Sequence, residues 1–466
     1  MFVSPRTSVV GDNPVTINCL NACAFQQSVL TTVGQIQYVA FYSSTYPSSG
    51  VRHVTIARRN HQIKDAPWEP LTFTDYDQTT DDGHNTISIG VCIGDGTIHV
   101  AFDHHCSELK YRVSRPGLAD DSTPSSWTLD AFGPIRNNLP TSAVEENGAL
   151  VDVTYPRFIR ANSGLFFECR IGKYAIELHP LSNQSDQTYR AGAGSDILYF
   201  YDPLNSLFEL RGKYLIGRNC NPYPNGLSFH HPSQSLHVTW TNRHFIDYEG
   251  ANDEESSLHK AQAGPNGPEN NEGLYHAYSR DLGTTWHGTG GEVTAVLSSE
   301  GSGMDSQDSR LRARKIPRDG GIMNQEAQFV DVQGDVHVLN RERGKEGEAW
   351  MHYNCRGGLG VWTATELPGP RPTFTGPRGK IVSHPRLATI FFVLPGREPG
   401  ELVILRANLE EPSGRYNGYE VVWRGDGYSG EPLVDQEALE DRRLSVLIIR
   451  EQKVVVVDFE IDTLVH

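Results

Sequence analysis

Three segments of this 466-residue chain repeat one pattern, and that repeat constrains the fold more than any other feature. They are Gly96-Thr-Ile-His-Val-Ala-Phe-Asp, Gln234-Ser-Leu-His-Val-Thr-Trp-Thr and Gly334-Asp-Val-His-Val-Leu-Asn-Arg. Each reads as a turn followed by a strand that opens hydrophobic-His-Val. Their histidines, His99, His237 and His337, lie 138 and 100 residues apart. Both intervals fit whole numbers of units of about 50 residues, the size of a propeller blade. The repetition makes these histidines structural positions inside blades rather than a shared ligand ring.

The rest of the chain reads the same way. Short β-branched and aromatic runs recur, such as Tyr38–Tyr42, Thr97–Phe102, Leu236–Trp240, Val336–Leu339 and Leu444–Ile449. Frequent Gly (45) and Pro (27) interrupt them, and long stripes of helical period are scarce. Many short strands between turn signals indicate an all-β sandwich, barrel or propeller, and the repeat selects the propeller. Ser279-Arg-Asp-Leu-Gly-Thr-Thr-Trp286 adds a second signal, because it matches the Asp-box turn S-x-D-x-G-x-T-W of sialidases and related propellers. Asp281 accepts backbone hydrogen bonds there, Gly283 permits positive φ, and Trp286 packs under the hairpin. Two polar stretches, Asn252–Asn271 and Ser298–Gly321, read as long loops. The second, with Arg310, Arg312, Arg314 and Lys315, reads as a solvated tether rather than a flap over an anionic ligand.

Charge and composition exclude several classes. The formal charge is −16, so nucleic acid is not an expected partner. An anionic substrate would need a local cluster of Arg, Lys or His. The longest apolar stretches, Ala388–Pro395 and Val454–Val457, fall far short of the roughly 20 residues of a membrane helix. The opening MFVSPRTSVVGDNP lacks a basic region followed by an apolar one, so no signal peptide is readable. Seven scattered cysteines argue for buried thiols over a dense disulfide framework. No glycine-rich nucleotide motif occurs, and no organic cofactor is expected.

The chemistry concentrates in Asp81-Asp-Gly-His-Asn-Thr-Ile-Ser-Ile-Gly90 and the neighbouring segment from Gly94 to His105. Two strands joined around Asp95-Gly96 form an antiparallel hairpin, which brings the start of one strand beside the end of the next. His84 and Asn85 therefore meet Asp103, His104 and His105 at one end. Alternation puts His104 and His105 on opposite faces, so one of them pairs with His84. Asp103 is placed to orient a histidine or to cap the strand.

GHNTIS, the G-x-I-H-V strand ending in DHH, and Leu109-Lys-Tyr111 together resemble the BNR-repeat propeller polysaccharide lyases. The resemblance continues in Thr154-Tyr-Pro-Arg-Phe158, Phe167-Glu-Cys-Arg170, Asn221-Pro-Tyr-Pro-Asn-Gly226, Trp240-Thr-Asn-Arg243 and Asn324-Gln-Glu-Ala-Gln328, covering about residues 80–360. It is nearest to the fungal L-rhamnose-α-1,4-D-glucuronate lyases and more distant from ulvan lyases. Ulvan-lyase-like chains carry a Gly-rich stretch after the arginine of the FECR strand, where this chain has Ile171-Gly-Lys-Tyr-Ala-Ile-Glu177 and an insertion from Leu181 to Ser195. The resemblance implies one seven-bladed propeller over residues 1–466; because an open propeller would leave a sheet edge exposed, Lys453–Phe459 is expected to pair with an N-terminal strand and close the ring. It also implies a monomeric, extracellular enzyme acting on an acidic polysaccharide, with a structural Ca2+ as in similar propellers.

Elimination at a uronate needs three things. The carboxylate must be neutralised, a base must take the C5 proton, and an acid must protonate the departing O4. Within the resemblance, His84, Asn85, Arg170 and Arg243 hold the carboxylate. His105 is the general base and Tyr155 the general acid, roles that are exchangeable between them. Pro156 is expected to keep Tyr155 extended. His104, Arg157, Arg218 and Tyr223 complete the expected sugar contacts. Two rivals remain. A sialidase-type hydrolase would need an R-I-P motif near the N-terminus and shows only one clear Asp-box here. A lectin propeller would repeat its sugar pocket, whereas GHN and DHH each occur once.

Overall fold

Short apolar runs bounded by Gly, Asn and Asp fold as strands whose two faces are both covered. Ile87–Val91, Lys380–His384 and Thr389–Pro395 are buried at every position, as continuous apolar runs imply. The computed structural model describes residues 4–465 apart from 45–49, 143–147, 173, 179–186, 192–193, 247–266, 298–302, 358–359, 373–375, 385, 397 and 411–412. For 174–178 and 187–191 it describes the backbone alone.

The strands assemble into a seven-bladed β-propeller. The innermost strands of blades 1 to 7 are Leu30–Val33, Ile87–Val91, Val153–Ala161, Cys220–His230, Ala327–Val330, Lys380–His384 and Tyr428–Val434. All seven line one axial cavity of about 480 Å³. Apolar clusters between successive blades make the core a ring. Tyr38, Ile89 and Val454 join blades 7, 1 and 2, and Phe167 and Ala101 join blades 2 and 3. Trp240 and Phe166 join blades 3 and 4, and Leu405 and Leu339 join blades 5 and 6. The ring closes as expected: Arg6–Asp12 pairs antiparallel with Lys453–Glu460, from Arg6 opposite Asp458 to Asp12 opposite Lys453. That pairing covers an edge that would otherwise be open.

The Asp-box forms its turn in blade 4. Asp281 Oδ1 accepts from the Thr285 amide at 2.7 Å, Gly283 has φ +86°, and the buried Trp286 indole donates to the Gly283 carbonyl at 3.0 Å. The three repeated histidines sit at equivalent places. His99, His237 and His337 are buried on the second strands of blades 2, 4 and 5, and they form no common ring.

The polar stretches fare differently. Residues 252–266 of the first lie outside the described residues. In the second, Arg312–Arg314 pairs with Asn271–Ser279, Arg310 pairs with Asp308 and Arg314 with Glu342. Its described arginines are engaged within the propeller, so this part of the stretch is a strand of blade 4 rather than a solvated tether. The insertion after Arg170 contains a two-stranded hairpin, Tyr174–Leu178 with Gln187–Ala191, separate from the blades. All seven cysteines are free thiols, five of them buried.

Candidate active site

Blade 2 has three strands, and its end is where the sequence departs from the repeat. Ile87–Val91 and Ile98–Phe102 pair as expected, with Ile87 opposite Phe102. The second strand then stops at Asp103, which takes φ +61°. His105–Ser107 is a separate short strand that crosses to blade 3, with His105 opposite Thr154. His105 therefore does not end the blade 2 strand. The left-handed residues Asp103 and Cys106 (φ +49°) carry the chain out of one blade and onto the next.

That crossing sets the geometry. His105 stacks on His84 with ring centroids 3.9 Å apart and planes at 17°. One carboxylate holds both rings: Asp82 Oδ1 lies 2.5 Å from His84 Nδ1, and Asp82 Oδ2 lies 2.6 Å from His105 Nδ1. The His84 amide also donates to Asp82 Oδ1 at 3.0 Å, a local turn typical of aspartate. The two imidazoles hold the Asp82 carboxyl far below the usual carboxylate range, although burial opposes this. Phe25 stacks on His84 at 5.3 Å, and the Arg378 guanidinium lies 5.1 Å from the Phe25 ring.

Tyr155 faces this stack, 5.7 Å from His84 and 5.1 Å from Phe25. It is not extended. Its φ is +58°, and the pairing of blade 3 slips between Thr154 and Arg157. A bulge therefore overrides the influence of Pro156, and bulges beside functional sites re-aim side chains in this way. Burial, then the neighbouring Tyr223, pushes the Tyr155 phenol well above its ordinary pKa; Arg170 and Arg243 oppose the shift. Tyr155 is thus a protonated phenol at neutral pH.

Cations flank the tyrosines. The Arg170 guanidinium lies 4.1 Å from the Tyr223 ring and 5.4 Å from Tyr155, and Arg243 lies 5.0 Å from Tyr223. Arg170 Nε and Nη2 lack a hydrogen-bond acceptor, with Asp196 3.7 Å from Nε. Arg243 donates to two neutral amides, Asn271 Oδ1 at 3.0 Å and Asn324 Oδ1. Asn85 is buried at the same end, and its Oδ1 has no partner.

The structure thus gathers His84, Asn85, His105, Tyr155, Arg170, Tyr223 and Arg243. It removes three expected contacts. His104 is fully buried and accepts the Lys110 amide at 2.7 Å through Nε2, so it faces the core; it lies between the two strands, where the turn at Asp103 rather than alternation sets its direction. Arg157 is buried and lines the axial cavity, 3.6 Å from Glu168 and donating to the Pro224 carbonyl. Arg218 is exposed and pairs with Asp305 at 3.4 Å, away from the tyrosines. Asp103 orients no histidine: it accepts from the Tyr76 hydroxyl and from Gln78 Nε2. Sequence reasoning missed Asp82, Phe25, Asn324 and Arg378. Asp82 lay within the DDGHN run, two residues before His84, where a turn-forming aspartate was readable.

Among the described residues, Asp82, His84 and His105 are a group with ligand atoms close enough to hold a metal ion, within 4.8 Å. Their Nδ1–oxygen distances fit shared protons. A cation bonded at about 2.1 Å to both atoms of such a pair would hold them farther apart. The axial cavity also suits calcium poorly. Its buried charged residues are Arg157, Lys380 and Asp331, and the Asp331 carboxylate is already taken by His337 and Tyr416. Calcium prefers several oxygen ligands.

Two solved structures are similar along almost their whole length. The polysaccharide lyase Uly1 superposes with a TM-score of 0.68 at 14% identity, covering 99% of this chain and 100% of that one. A PL25 ulvan lyase bound to -[GlcA(1-4)Rha3S]- superposes with a TM-score of 0.63 at 14% identity, covering 98% and 99%. At this identity the likeness is one of fold. No curated protein sequence matches the chain. The model for BNR repeat-containing family members matches residues 36–369, from the second strand of blade 1 to the end of blade 5. By that match, which covers most of its length, the chain belongs to the BNR repeat-containing family.

Proposed function

We propose that this protein is a polysaccharide lyase that cleaves the bond to O4 of a D-glucuronate by β-elimination. One observation carries the reading: an imidazole pair on a single carboxylate faces a protonated tyrosine, beside an arginine whose described partners are neutral amides. Arg243 and Arg170 neutralise the uronate carboxylate, with Asn85 beside them. His105 takes the C5 proton. The C5–H electrons form the C4–C5 double bond, the C4–O4 bond breaks, and the Tyr155 hydroxyl gives its proton to O4. His105 then returns its proton to the tyrosinate through solvent. The high pKa of Tyr155 supports acid for the tyrosine and base for the histidine.

The favoured substrate is the rhamnosyl-α-1,4-glucuronate end of gum-arabic-type arabinogalactan side chains, with exo-release of L-rhamnose. In support, the base of the extra hairpin closes on Arg170. A Cβ at Gly194 would stand 3.0 Å from Arg170 Cδ, and the Gly194 amide donates to Asn221 Oδ1. The segment leaving the extra hairpin therefore packs against Arg170. The second reading is endo-cleavage of ulvan, favoured by the solved ulvan lyase with its glucuronate–rhamnose ligand. Substrates of either kind place the enzyme outside the cell, and we expect a monomer. Ultraviolet absorbance on gum arabic, ulvan and glucuronan tests all of this, because elimination leaves a conjugated unsaturated uronate. Reducing sugar released without absorbance would replace elimination by hydrolysis.

A further inference from the structure

We propose that Asp82 is a positioning residue that fixes both His84 and His105 as Nδ1–H tautomers. The proposal rests on the lyase reading for its kinetic consequence, but its geometry stands without substrate. An ionised carboxylate is an acceptor only. Each Asp82 oxygen therefore requires a proton on the Nδ1 that faces it, at 2.5 Å from His84 and 2.6 Å from His105. The lone pair of a neutral ring is then on Nε2. For His105 that is the nitrogen that receives the C5 proton. For His84 it means that Nε2 donates to an anion only when the ring is cationic.

The division of labour follows. His84 helps hold the uronate, His105 takes the proton, and the Asp82 carboxylate orients both rings. When His105 becomes protonated during the reaction, Asp82 is already bonded to it and needs no reorganisation. Phe25 on the outer face of His84, with Arg378 against Phe25, keeps the stack in place.

The geometry also makes the two oxygens inequivalent. Oδ1 accepts both the His84 amide and His84 Nδ1, whereas Oδ2 serves His105. In Asp82→Asn the carboxamide oxygen stays at the His84 side, where two donors require it. The carboxamide NH2 then faces His105 Nδ1, which must accept, and the proton of His105 moves to Nε2. One substitution thus inverts one tautomer and spares the other.

Nitrogen-15 NMR of the histidine-labelled protein tests this, with the His84 and His105 signals assigned by their loss in His84→Phe and His105→Phe. The wild type should show the proton of neutral His105 on Nδ1, and Asp82→Asn should show it on Nε2 with His84 unchanged. On the lyase substrate, kcat of Asp82→Asn should fall on the order of 10³–10⁴-fold, with KM changed less than about threefold, as for other aspartates that set a histidine tautomer. A wild-type His105 protonated on Nε2 overturns the proposal without any variant having to fold. Ring shifts that change on treatment with EDTA would assign the triad to a cation and overturn it too. A switched tautomer with unchanged kcat would remove Asp82 from the mechanism. The expected tautomers in a wild type that yields no unsaturated product from any uronate polymer would instead sink the lyase reading and leave the Asp82 geometry standing.

Discussion

His99, His237 and His337 engage both ring nitrogens inside the propeller. His99 bonds Thr97 at 2.8 Å and Tyr111 at 2.6 Å. His237 bonds Ser235 at 2.8 Å and His276 at 3.3 Å. His337 bonds His352 at 2.9 Å and Asp331 at 3.1 Å. His84 and His105 sit elsewhere in the fold. Their side chains are 31% and 12% exposed, His84 lies where the chain enters blade 2 and His105 where it leaves for blade 3, and one carboxylate holds both. Burial keeps His99 neutral, its pKa pushed down to about 3. The repeated histidine is therefore a packing device with its hydrogen bonds consumed at home. Where the repeat breaks, the same residue type is left at a surface with chemistry available to it.

The sharpest way to break this contrast is His105→Ala. Removal of a general base costs about 10²–10⁴-fold in kcat, and a partly exposed ring should leave thermal stability nearly unchanged. His104→Ala should do the opposite, lowering stability while sparing the activity of molecules that remain folded. Elimination kinetics alongside a melting curve measure both. A dead but fully stable His104→Ala beside an active His105→Ala would reverse the assignment of faces.

A smaller effect is expected at the arginines. Arg170→Lys and Arg243→Lys should each lower kcat/KM by roughly tenfold or more, about 1.4 kcal/mol, because lysine lacks the planar fork. Steady-state kinetics of both variants decide this, and unchanged constants would take that residue out of the site. Arg218→Lys is the control: paired with Asp305 and exposed, it should behave as wild type.

How much of this was legible follows the same division. The blades were readable because turn, hydrophobic residue, His and Val recur with the periodicity of the fold. The pairing of Arg6–Asp12 with Lys453–Glu460 followed from the need to cover an edge. His84, His105 and Tyr155 were readable as unrepeated polar groups at strand ends. What the sequence concealed was long-range or conformational. Phe25 and Arg378 reach the site from segments far from the motif. The left-handed backbone of Asp103 and Tyr155 is tertiary in origin and runs against the extended bias that Pro156 imposes. The arginines could be counted but not sorted, since burial beside Glu168 or exposure beside Asp305 depends on partners distant in sequence.

The contrast sharpens further at His337. Its replacement by Phe keeps a ring of similar shape but leaves His352 Nε2 without its partner and takes one donor from Asp331, which keeps the Tyr416 hydroxyl. An unsatisfied buried acceptor costs about 1–3 kcal/mol, so His337→Phe should lower the unfolding free energy by that amount. The kcat per folded molecule should stay unchanged. Urea unfolding read by tryptophan fluorescence measures the loss. A stable but inactive His337→Phe would mean that the repeated histidines do reach the site.

The smallest effect lies where the two regions meet, at Glu168 behind Arg170. Burial, supported by the nearby Asp196, pushes the Glu168 carboxyl up to about 8 against the opposing pull of Arg157 and Arg170. The folded protein therefore keeps a proton that the unfolded chain gives up near 4.5. Between these values the native state binds more protons than the unfolded state, so stability falls as pH rises. The contribution is complete below the unfolded value and is lost as pH rises through the folded one. Glu168→Gln cannot lose a proton, and its amide keeps an acceptor for the Tyr214 hydroxyl, which lies 3.4 Å from Oε1 in the wild type. The drop in melting temperature between about pH 5 and pH 8 should thus be shallower in Glu168→Gln than in the wild type. Equal slopes would mean that Glu168 is already ionised, held by Arg157, and that the ground behind the arginines is an ion-pair network like those of the surface rather than a proton store.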